Sequence, residues 1–402
     1  MPRDGTLPTR SPRALDLLNF FTADVQTGFG PFVAVYLTAH KWTQEDIGFV
    51  LTLGTITAII SQLPSGVLVD ATRDKRRVAA GGLIGIIAAA LLLALWPQEL
   101  PVALAQVLHG VASCILTPAI AAISLELVGN AALGERLGRN ARFASIGNGL
   151  TAAVMGVTGS YLSSRAVFWL TAALCVPALL SLSGIGRGSF AASQITAPPL
   201  EMRGLRKLFR DKRLLIFAVC VMLFHMSNAA MLPLAGAAVT MRAGEIANLI
   251  IAACIVVPQG VVALASPWVG RRAASWGRRP VLILGWAALP ARAVLLAVLP
   301  GPYLLIGAQA ISGVSAAVFG VMLPLLAADF TRGTSHFNLC MGALGLAVAA
   351  GAAISTSLGG WVADAAGLHV AFFALGAVGA VGMLLLCVAL PETREAPGEP
   401  QV

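Results

Sequence analysis

Residues 65–78, SGVLVDATRDKRRV, join two long apolar stretches of this 402-residue chain. Only 11% of all residues are charged and 57% are hydrophobic, whereas a soluble domain carries about 25% charged residues. No water-soluble fold can bury so much apolar surface, so lipid must solvate most of it. The sequence therefore predicts an all-α membrane protein, with Ser65–Val78 at the connection between its second and third spans.

Twelve apolar stretches are each long enough to cross a bilayer as a helix, which needs about 20 residues. They are rich in Ala, Leu and Gly and lack the two-residue alternation of membrane β-strands. The predicted spans begin near Ala14, Thr43, Val78, Pro101, Arg139, Ala166, Arg213, Gly244, Val281, Pro302, Ser335 and His369.

The basic residues predict how these spans are oriented. If both termini are cytoplasmic, most of the 27 Lys and Arg residues lie inside. The exceptions are Lys41, Arg165 and Arg242 outside and Arg292 within a span. The positive-inside rule therefore predicts a multi-pass protein with both termini in the cytoplasm. The net charge of +9 is explained by this topology, and we expect no nucleic-acid partner.

The second half of the chain repeats the first at an offset of 203 residues. The segment AQVLHG at 105–110 aligns with AQAISG at 308–313, and Arg76 aligns with Arg279. Duplication of a six-helix unit places both copies in the same orientation, about an axis along the membrane normal. The predicted organisation is a bundle over 1–183, a basic cytoplasmic linker over 184–212 and a second bundle over 213–402.

Five residues of the opening stretch carry a family resemblance: Gly66, Leu68, Asp70, Lys75 and Arg76. They match the signature G-x-L-A-D-R-x-G-R-[RK], so the stretch resembles that of the major facilitator superfamily. A degenerate copy without the aspartate, SPWVGRRAASWGRRPV, occupies residues 266–281. The resemblance covers essentially the whole chain. It implies a transporter of twelve helices in two pseudo-symmetric bundles, which works by alternating access.

Two subfamily motifs depart from their patterns. Proton-coupled members often carry R-x-x-Q-G in helix 4, where this chain has QVLHG at 106–110. Many exporters carry a proline-containing glycine motif in helix 5, and residues 147–159 are glycine-rich but contain no proline. Neither proton antiport nor export is therefore indicated by a motif.

The resemblance implies that helices 1, 4, 7 and 10 line a central cavity and that helices 3, 6, 9 and 12 face lipid. Arg292, on helix 9, is therefore expected to face lipid and to snorkel to the interface. Polar side chains on the cavity helices either line the substrate site or hydrogen-bond neighbouring helices. The candidate substrate-cavity residues are Thr22, Gln26, Gln106, His109, Ser113, His225, Asn228 and Gln309.

Asp24 is the candidate proton-coupling residue. It lies about 15 Å into the first span, at about 1.5 Å per residue, among apolar neighbours. A carboxylate at such a depth costs about 2.5–3.5 kcal/mol on insertion scales, which makes a functional role the default hypothesis. The alternative is a structural pair with another helix.

Charged residues at the cytoplasmic ends of the helices form the candidate gate. Glu126 and Asp329 end helices 4 and 10, close in sequence to basic loops, and Arg142 or the cluster 73–77 offers partners. These pairs either open and close with the cytoplasmic side, as the family implies, or are fixed ion pairs. The gate and signature residues are Gly66, Asp70, Lys75, Arg76, Glu126, Arg142 and Asp329.

Together these features predict a proton-coupled secondary transporter of a small organic solute in the cytoplasmic (inner) membrane of a bacterium. Efflux is favoured over the alternative, an uptake symporter or uniporter for a metabolite or siderophore. A non-transporting receptor or scaffold is the alternative from another class, and no nucleotide-binding loop or catalytic pattern indicates an enzyme. The expected partners are the substrate, protons and the lipid bilayer. We expect a monomer without cofactor or metal.

Overall fold

A computed structural model of the chain describes residues 10–27, 33, 36–37, 40–42, 44–186, 210–235, 247–298, 301–334 and 336–393. Within these ranges the secondary structure is helical, with no strand. The helices are α1 (Arg10–Thr27), α2 (Gln44–Ala71), α3 (Lys75–Leu95), α4 (Glu99–Tyr161), α5 (Ser164–Ser183), α6 (Lys212–Asn228), α7 (Ala247–Ser275), α8 (Arg278–Val298), α9 (Pro302–Phe330), α10 (Phe337–Ala366) and α11 (Leu368–Ala389).

Nine helices in the described ranges are long and apolar enough to cross a membrane. One of them is α4, which contains two of the predicted spans because they are continuous in the structure. The helix bends at Gly129, whose φ of 70° and ψ of 175° lie outside the helical region. Glycine adopts a positive φ without steric cost, and the following residues are good helix formers, so the expected loop is absent.

The connection between α2 and α3 is also shorter than predicted. α2 continues to Ala71 and α3 begins at Lys75, so only three residues separate the helices. Asp74 is the N-cap of α3, and its carboxylate Oδ1 accepts a hydrogen bond from the amide of Arg76 at 3.2 Å. An acidic cap satisfies amides at the helix start that have no partner within the helix.

The chain divides into two compact units. The first comprises Met1–Leu133, Phe143–Pro199 and Phe337–Gly342, and the second comprises Gly134–Arg142, Leu200–His336 and Ala343–Val402. Each unit therefore contains a short segment from the other half of the sequence. Of the predicted linker 184–212, residues 187–209 lie outside the described ranges, so the domain boundaries stay a prediction.

Equivalent helices pack together within each unit. In the first unit α5 packs on α1 and on α3, and in the second unit α11 packs on α6 and on α8. Small residues allow the close approach in the second unit, because a Cβ on Gly379 would lie 2.8 Å from Ser227 Oγ and one on Gly376 would lie 2.8 Å from Ala293 Cβ. Small residues at helix interfaces are the usual means of close packing in membranes.

Candidate functional site

In the first unit, the Asp70 carboxylate binds the first turn of α10. Its Oδ1 accepts hydrogen bonds from the Asn338 amide at 3.0 Å and from Asn338 Nδ2 at 2.6 Å. Its Oδ2 accepts from the Leu339 amide at 2.8 Å. A negative charge at a helix N-terminus satisfies unpaired amides and interacts favourably with the helix dipole. Asp70 therefore holds a helix start that lies 268 residues away in sequence.

Gly66 makes this contact possible. A Cβ at residue 66 would lie 2.2 Å from the carbonyl oxygen of Asn338, a distance that no side chain tolerates. Gly342, further along α10, packs in the same way, because a Cβ there would lie 2.5 Å from the carbonyl oxygen of Gln62. The end of α2 and the start of α10 therefore approach each other backbone to backbone, with Asp70 at the closest point.

Lys75 and Arg76 satisfy the ends of other helices in the same unit. Lys75 Nζ donates to the carbonyl oxygens of Val69, Asp70 and Thr72, which lie at or just past the end of α2. Arg76 Nη1 donates to the carbonyl oxygen of Ile185 at 2.6 Å, just after α5. Basic groups at helix C-termini are stabilising because they meet the negative end of the helix dipole.

Asp74 lies at the corner between α2 and α3 in the first unit. Its Oδ1 lies 3.1 Å from Arg76 Nε, and its Oδ2 lies 3.5 Å from Arg77 Nε. Partial burial acts to raise the pKa of Asp74, but hydrogen bonds and positive charge from Arg76 outweigh it, and the pKa lies below its usual value. Asp74 therefore stays ionised and holds both the start of α3 and the Arg76 side chain.

Of the two acids expected to form gate pairs, Glu126 interacts electrostatically with Lys75 and Arg76. Arg142, the other partner considered from the sequence, is exposed to solvent and belongs to the second unit. The basic cluster that follows α2 therefore supplies the described positive charges that act on Glu126. Whether this arrangement opens and closes stays a prediction.

Asp329 has a fuller set of partners in the second unit. Its Oδ2 lies 3.0 Å from Arg278 Nε and accepts a hydrogen bond from Thr393 Oγ1 at 2.9 Å. Its Oδ1 lies 2.7 Å from Arg332 Nη2. The side chain is only 6% exposed, so these charges interact in a largely desolvated setting. Sequence reasoning identified Asp329 but missed Arg278 as its partner.

The polar stripe on helix 4 lies on α4 of the first unit. Gln106 is buried and packs on α2, where a Cβ on Gly54 would lie 2.9 Å from its Oε1. Ser113 Oγ and His109 Nε2 are 3.3 Å apart, so these residues share a face as their spacing predicted. On α1, the buried Thr22 hydroxyl donates to the Leu18 carbonyl at 2.7 Å. Their role in substrate binding stays a prediction.

The structure contradicts the expectation for Arg292. This residue is buried at 1% exposure, where the family arrangement led us to expect a lipid-facing side chain. Its Nη1 donates to Asn228 Oδ1 at 2.6 Å and its Nη2 to Gln309 Oε1 at 3.3 Å. The guanidinium finds hydrogen-bond acceptors between α6 and α9, which the bundle supplies more readily than lipid. A charge within an apolar span was the available sequence signal.

His225 lies three residues before Asn228 on α6, so the two share a helix face. Its ring packs against Phe224 and Phe319, with centroids 5.3 Å and 4.7 Å away. Its Nε2 is buried and has no hydrogen-bond partner within the described part of the chain. The remaining candidates, Asp24 and Gln26, lie on α1, but their side chains are outside the described part of the chain.

Comparison with known proteins identifies the family. The model of the Major Facilitator Superfamily matches residues 15–257 and 226–401. The chain is 38% identical over 399 residues to the uncharacterized MFS-type transporter Rv2456c of Mycobacterium tuberculosis, covering 97% of this chain and 95% of that protein.

Solved structures share the fold. The human organic anion transporter MFSD10 superposes with a TM-score of 0.76 at 15% identity, covering 94% of this chain and 100% of that one. FucP in its outward conformation gives a TM-score of 0.73 at 16% identity, with 96% and 99% covered. The chain therefore belongs to the major facilitator superfamily and is a multi-pass membrane transporter of some solute rather than an enzyme.

Proposed function

We propose that the protein is a secondary active transporter that moves a small organic solute across the cytoplasmic membrane of a bacterium by alternating access. The hydrogen bonding of Asp70 to the first turn of α10 is the observation that carries this proposal. Lys75 and Arg76 bind the ends of other helices. The hydrogen bonds between Asp70 and α10 can therefore break while the connection between α2 and α3 stays folded. Asp70 is therefore suited to act as a reversible latch.

Neutralising the latch tests the proposal. Asp70→Asn removes the negative charge and replaces one acceptor oxygen by an amide donor, which cannot accept from the α10 backbone. We expect flux in proteoliposomes to fall about tenfold or more, because hydrogen bonds to a charged group contribute about 1.5–3 kcal/mol. The solute is first identified by a thermal-shift screen of small organic compounds.

Asp74→Asn is the matched control, because it changes an acid of the same corner that bonds to Arg76 instead of α10. We expect it to retain most of the flux. Glu126→Gln, which removes the charge facing Lys75, should also lower flux without preventing membrane insertion. Flux near the wild-type level in both Asp70→Asn and Glu126→Gln would overturn the gate.

We further propose that transport is coupled to protons through Asp24. Its depth in the first span and the absence of neighbouring charges in the sequence support this role. Asp24→Asn mimics the protonated side chain permanently. The variant should still exchange solute across proteoliposomes, since that form is one of two natural states, but should not accumulate solute in response to an imposed pH gradient.

The exchange measurement distinguishes coupling from structure. A structural pair predicts that Asp24→Asn loses exchange and thermal stability together, because a partner is left unpaired. Accumulation at the wild-type level in Asp24→Asn contradicts the coupling role. The next candidates for the proton site would then be His225 and His109.

Direction and orientation complete the proposal. We favour efflux by a monomer with both termini in the cytoplasm, and the distribution of basic residues supports the orientation. Uptake of a metabolite or siderophore by symport or uniport is the competing direction, which flux from vesicles of defined orientation separates. A receptor or scaffold on this fold would bind a ligand in the thermal-shift screen but give no flux.

A further inference from the structure

Among the described residues, a buried positive charge in the second unit has only neutral hydrogen-bond acceptors. Arg292 lies on α8 and is 1% exposed. Its two hydrogen bonds go to the amide oxygens of Asn228 and Gln309, which carry no charge. A cation within a membrane span is costly unless an anion or water compensates it. The structure therefore raises the question of which anion compensates Arg292.

The described carboxylates of the second unit are engaged elsewhere or exposed. Asp211 pairs with Arg213, Asp329 pairs with Arg278 and Arg332, and Glu392 accepts the first amides of α8. Glu135 and Asp364 are exposed. Cys254 interacts with the charge of Arg292, but a thiol is neutral near pH 7. Within the described part of this unit, the protein supplies no carboxylate bound to Arg292.

Several donors of the same cluster lack an acceptor. Arg292 Nε and Gln309 Nε2 are buried and have no hydrogen-bond partner among the described residues. A guanidinium has five N–H donors, and the described hydrogen bonds of Arg292 use two of them. The free donors on Arg292 and Gln309 require an acceptor, and an oxyanion offers several acceptor positions at once.

The cluster is not a feature that both halves of the repeat share. At the offset of 203 residues, Gln106 is the counterpart of Gln309, but Ala89 stands for Arg292 and Val25 for Asn228. The helices themselves pack equivalently, because α3–α5 in the first unit matches α8–α11 in the second. The shared helix packing therefore does not require an arginine at this position. We attribute Arg292 to a function that only the second half of the repeat carries.

We propose that Arg292, Asn228 and Gln309 form a binding site for an anionic group, a carboxylate on the transported solute. The planar guanidinium matches a carboxylate in geometry and charge, and the two amides orient it. Arg292 lies about 9 Å from the end of α8 and Gln309 about 11 Å from the start of α9, at similar depth. The inference rests on the proposed transport function only in identifying the anion as part of the solute.

Binding to the purified full-length protein tests the site without requiring transport. Sodium benzoate and sodium hexanoate are compared with the neutral isosteres benzamide and hexanamide at constant ionic strength and chloride, by thermal shift and calorimetry. At least one carboxylate should raise the melting temperature of the wild-type protein while its amide does not. Arg292→Gln should bind that carboxylate at least about tenfold more weakly, as expected for loss of a buried charge pair.

Further variants distinguish the contribution of the Arg292 charge from that of its planar guanidinium group. Arg292→Lys keeps the charge but loses the planar fork, so its affinity should lie between wild type and Arg292→Gln. Arg213→Gln, which changes a half-exposed arginine of the same unit, should bind as the wild type does. If Arg292→Gln does not fold, Asn228→Ala and Gln309→Ala keep the charge, and each should weaken carboxylate binding several-fold.

Three binding results would overturn the site: equal responses to acid and amide in the wild type, undiminished carboxylate binding by a folded Arg292→Gln, or a chloride titration that reproduces the whole shift. Counterflow of radiolabelled carboxylate in proteoliposomes then tests transport separately. Arg292-dependent binding without counterflow supports the site and contradicts transport of that acid. Counterflow that is unchanged in Arg292→Gln supports transport and refutes the site.

Discussion

The corner between α2 and α3 and the corner between α7 and α8 occupy equivalent positions in the sequence repeat, and they share a common device. At the first corner Lys75 donates to carbonyl oxygens at the end of α2 and faces the charge of Glu126. At the second, Arg278 donates to the Ala273 carbonyl oxygen near the end of α7 and pairs with Asp329. Each basic residue therefore donates hydrogen bonds to the end of one helix, α2 or α7. It also interacts with an acid on a later helix, α4 or α9.

The next residue of each corner repeats the correspondence. Arg76 donates to the Ile185 carbonyl oxygen after α5, and Arg279 donates to the Cys387 carbonyl oxygen in α11. The two corners differ where Asp70 binds the start of α10, since the residue at the equivalent position is Ala273. The basic residues that both corners share stabilise helix ends. Only the first corner has a carboxylate, Asp70, that caps α10, and we assign the gate to it.

The largest expected difference between the corners is in stability. Asp329 is 6% exposed with three partners, so Asp329→Asn should lower the free energy of unfolding by about 3 kcal/mol, because breaking a buried pair leaves a charge uncompensated. Glu126→Gln should cost less than about 1 kcal/mol, since Lys75 keeps its carbonyl acceptors. Thermal unfolding in detergent measures both.

Asp364→Asn, at an exposed position near the end of α10, is the control and should leave the unfolding midpoint unchanged. Equal losses in Asp329→Asn and Glu126→Gln would mean that the two corners depend equally on their acids. The contrast drawn from the hydrogen bonds of Asp329 would then be wrong.

A second, smaller effect concerns close backbone contacts, which both units contain. A Cβ on Gly66 would lie 2.2 Å from the Asn338 carbonyl oxygen, and one on Gly138 would lie 2.4 Å from that of Ser266. We expect Gly66→Ala and Gly138→Ala each to destabilise by about 1–3 kcal/mol, as overpacking does. Only Gly66→Ala should also lower flux, because it displaces the helix that Asp70 holds.

Gly81→Ala serves as the matched control, since a Cβ there meets no atom within 4 Å. This substitution should be neutral or slightly stabilising because alanine favours helix more than glycine does. Loss of flux in Gly138→Ala equal to that in Gly66→Ala would show that both corners act as gates, against the assignment of the gate to the first corner alone.

The positions of the helices in the sequence were predictable. The rotation of each helix about its own axis, which decides whether a side chain faces lipid or the protein interior, was not. Long apolar runs indicated where the membrane helices lie, because bilayer thickness sets their length. Arg292 was misassigned because hydropathy does not show which way a side chain points, and its partner Asn228 is 64 residues away. Packing in the second unit decides that direction.

The contacts of the first corner illustrate the same limit. The signature identified Asp70, but only the fold brings it to α10, 268 residues further along the chain. Asp74, by contrast, was readable from sequence and was missed. An aspartate directly before a basic helix start is a favoured N-cap, although it departs from the family signature.

The smallest expected effect on stability concerns the N-cap of the second helix at each corner, which the two corners supply differently. Asp74 caps α3 locally, whereas Glu392 caps α8 from the far end of the chain by accepting from the amides of Arg278 and Arg279 at 2.7 Å and 3.0 Å. Asp74→Asn retains a capping oxygen and loses only the charge that faces Arg76 and Arg77. We expect it to cost no more than about 1 kcal/mol at pH 7, because one partner is largely exposed.

The pH dependence identifies that charge as the cause. The pKa of Asp74 is lowered in the folded protein from its ordinary value of 3.8, since Arg76 outweighs the effect of burial. A lowered pKa adds stability that is present above the ordinary value and is lost as pH falls through the folded-state value. The difference in unfolding midpoint between wild type and Asp74→Asn should therefore be constant from about pH 5 to pH 7 and should shrink below about pH 3.8. A difference that persists unchanged at the lowest pH would show that the substituted amide caps α3 less well by geometry alone, and that the ion pair with Arg76 adds nothing to the first corner.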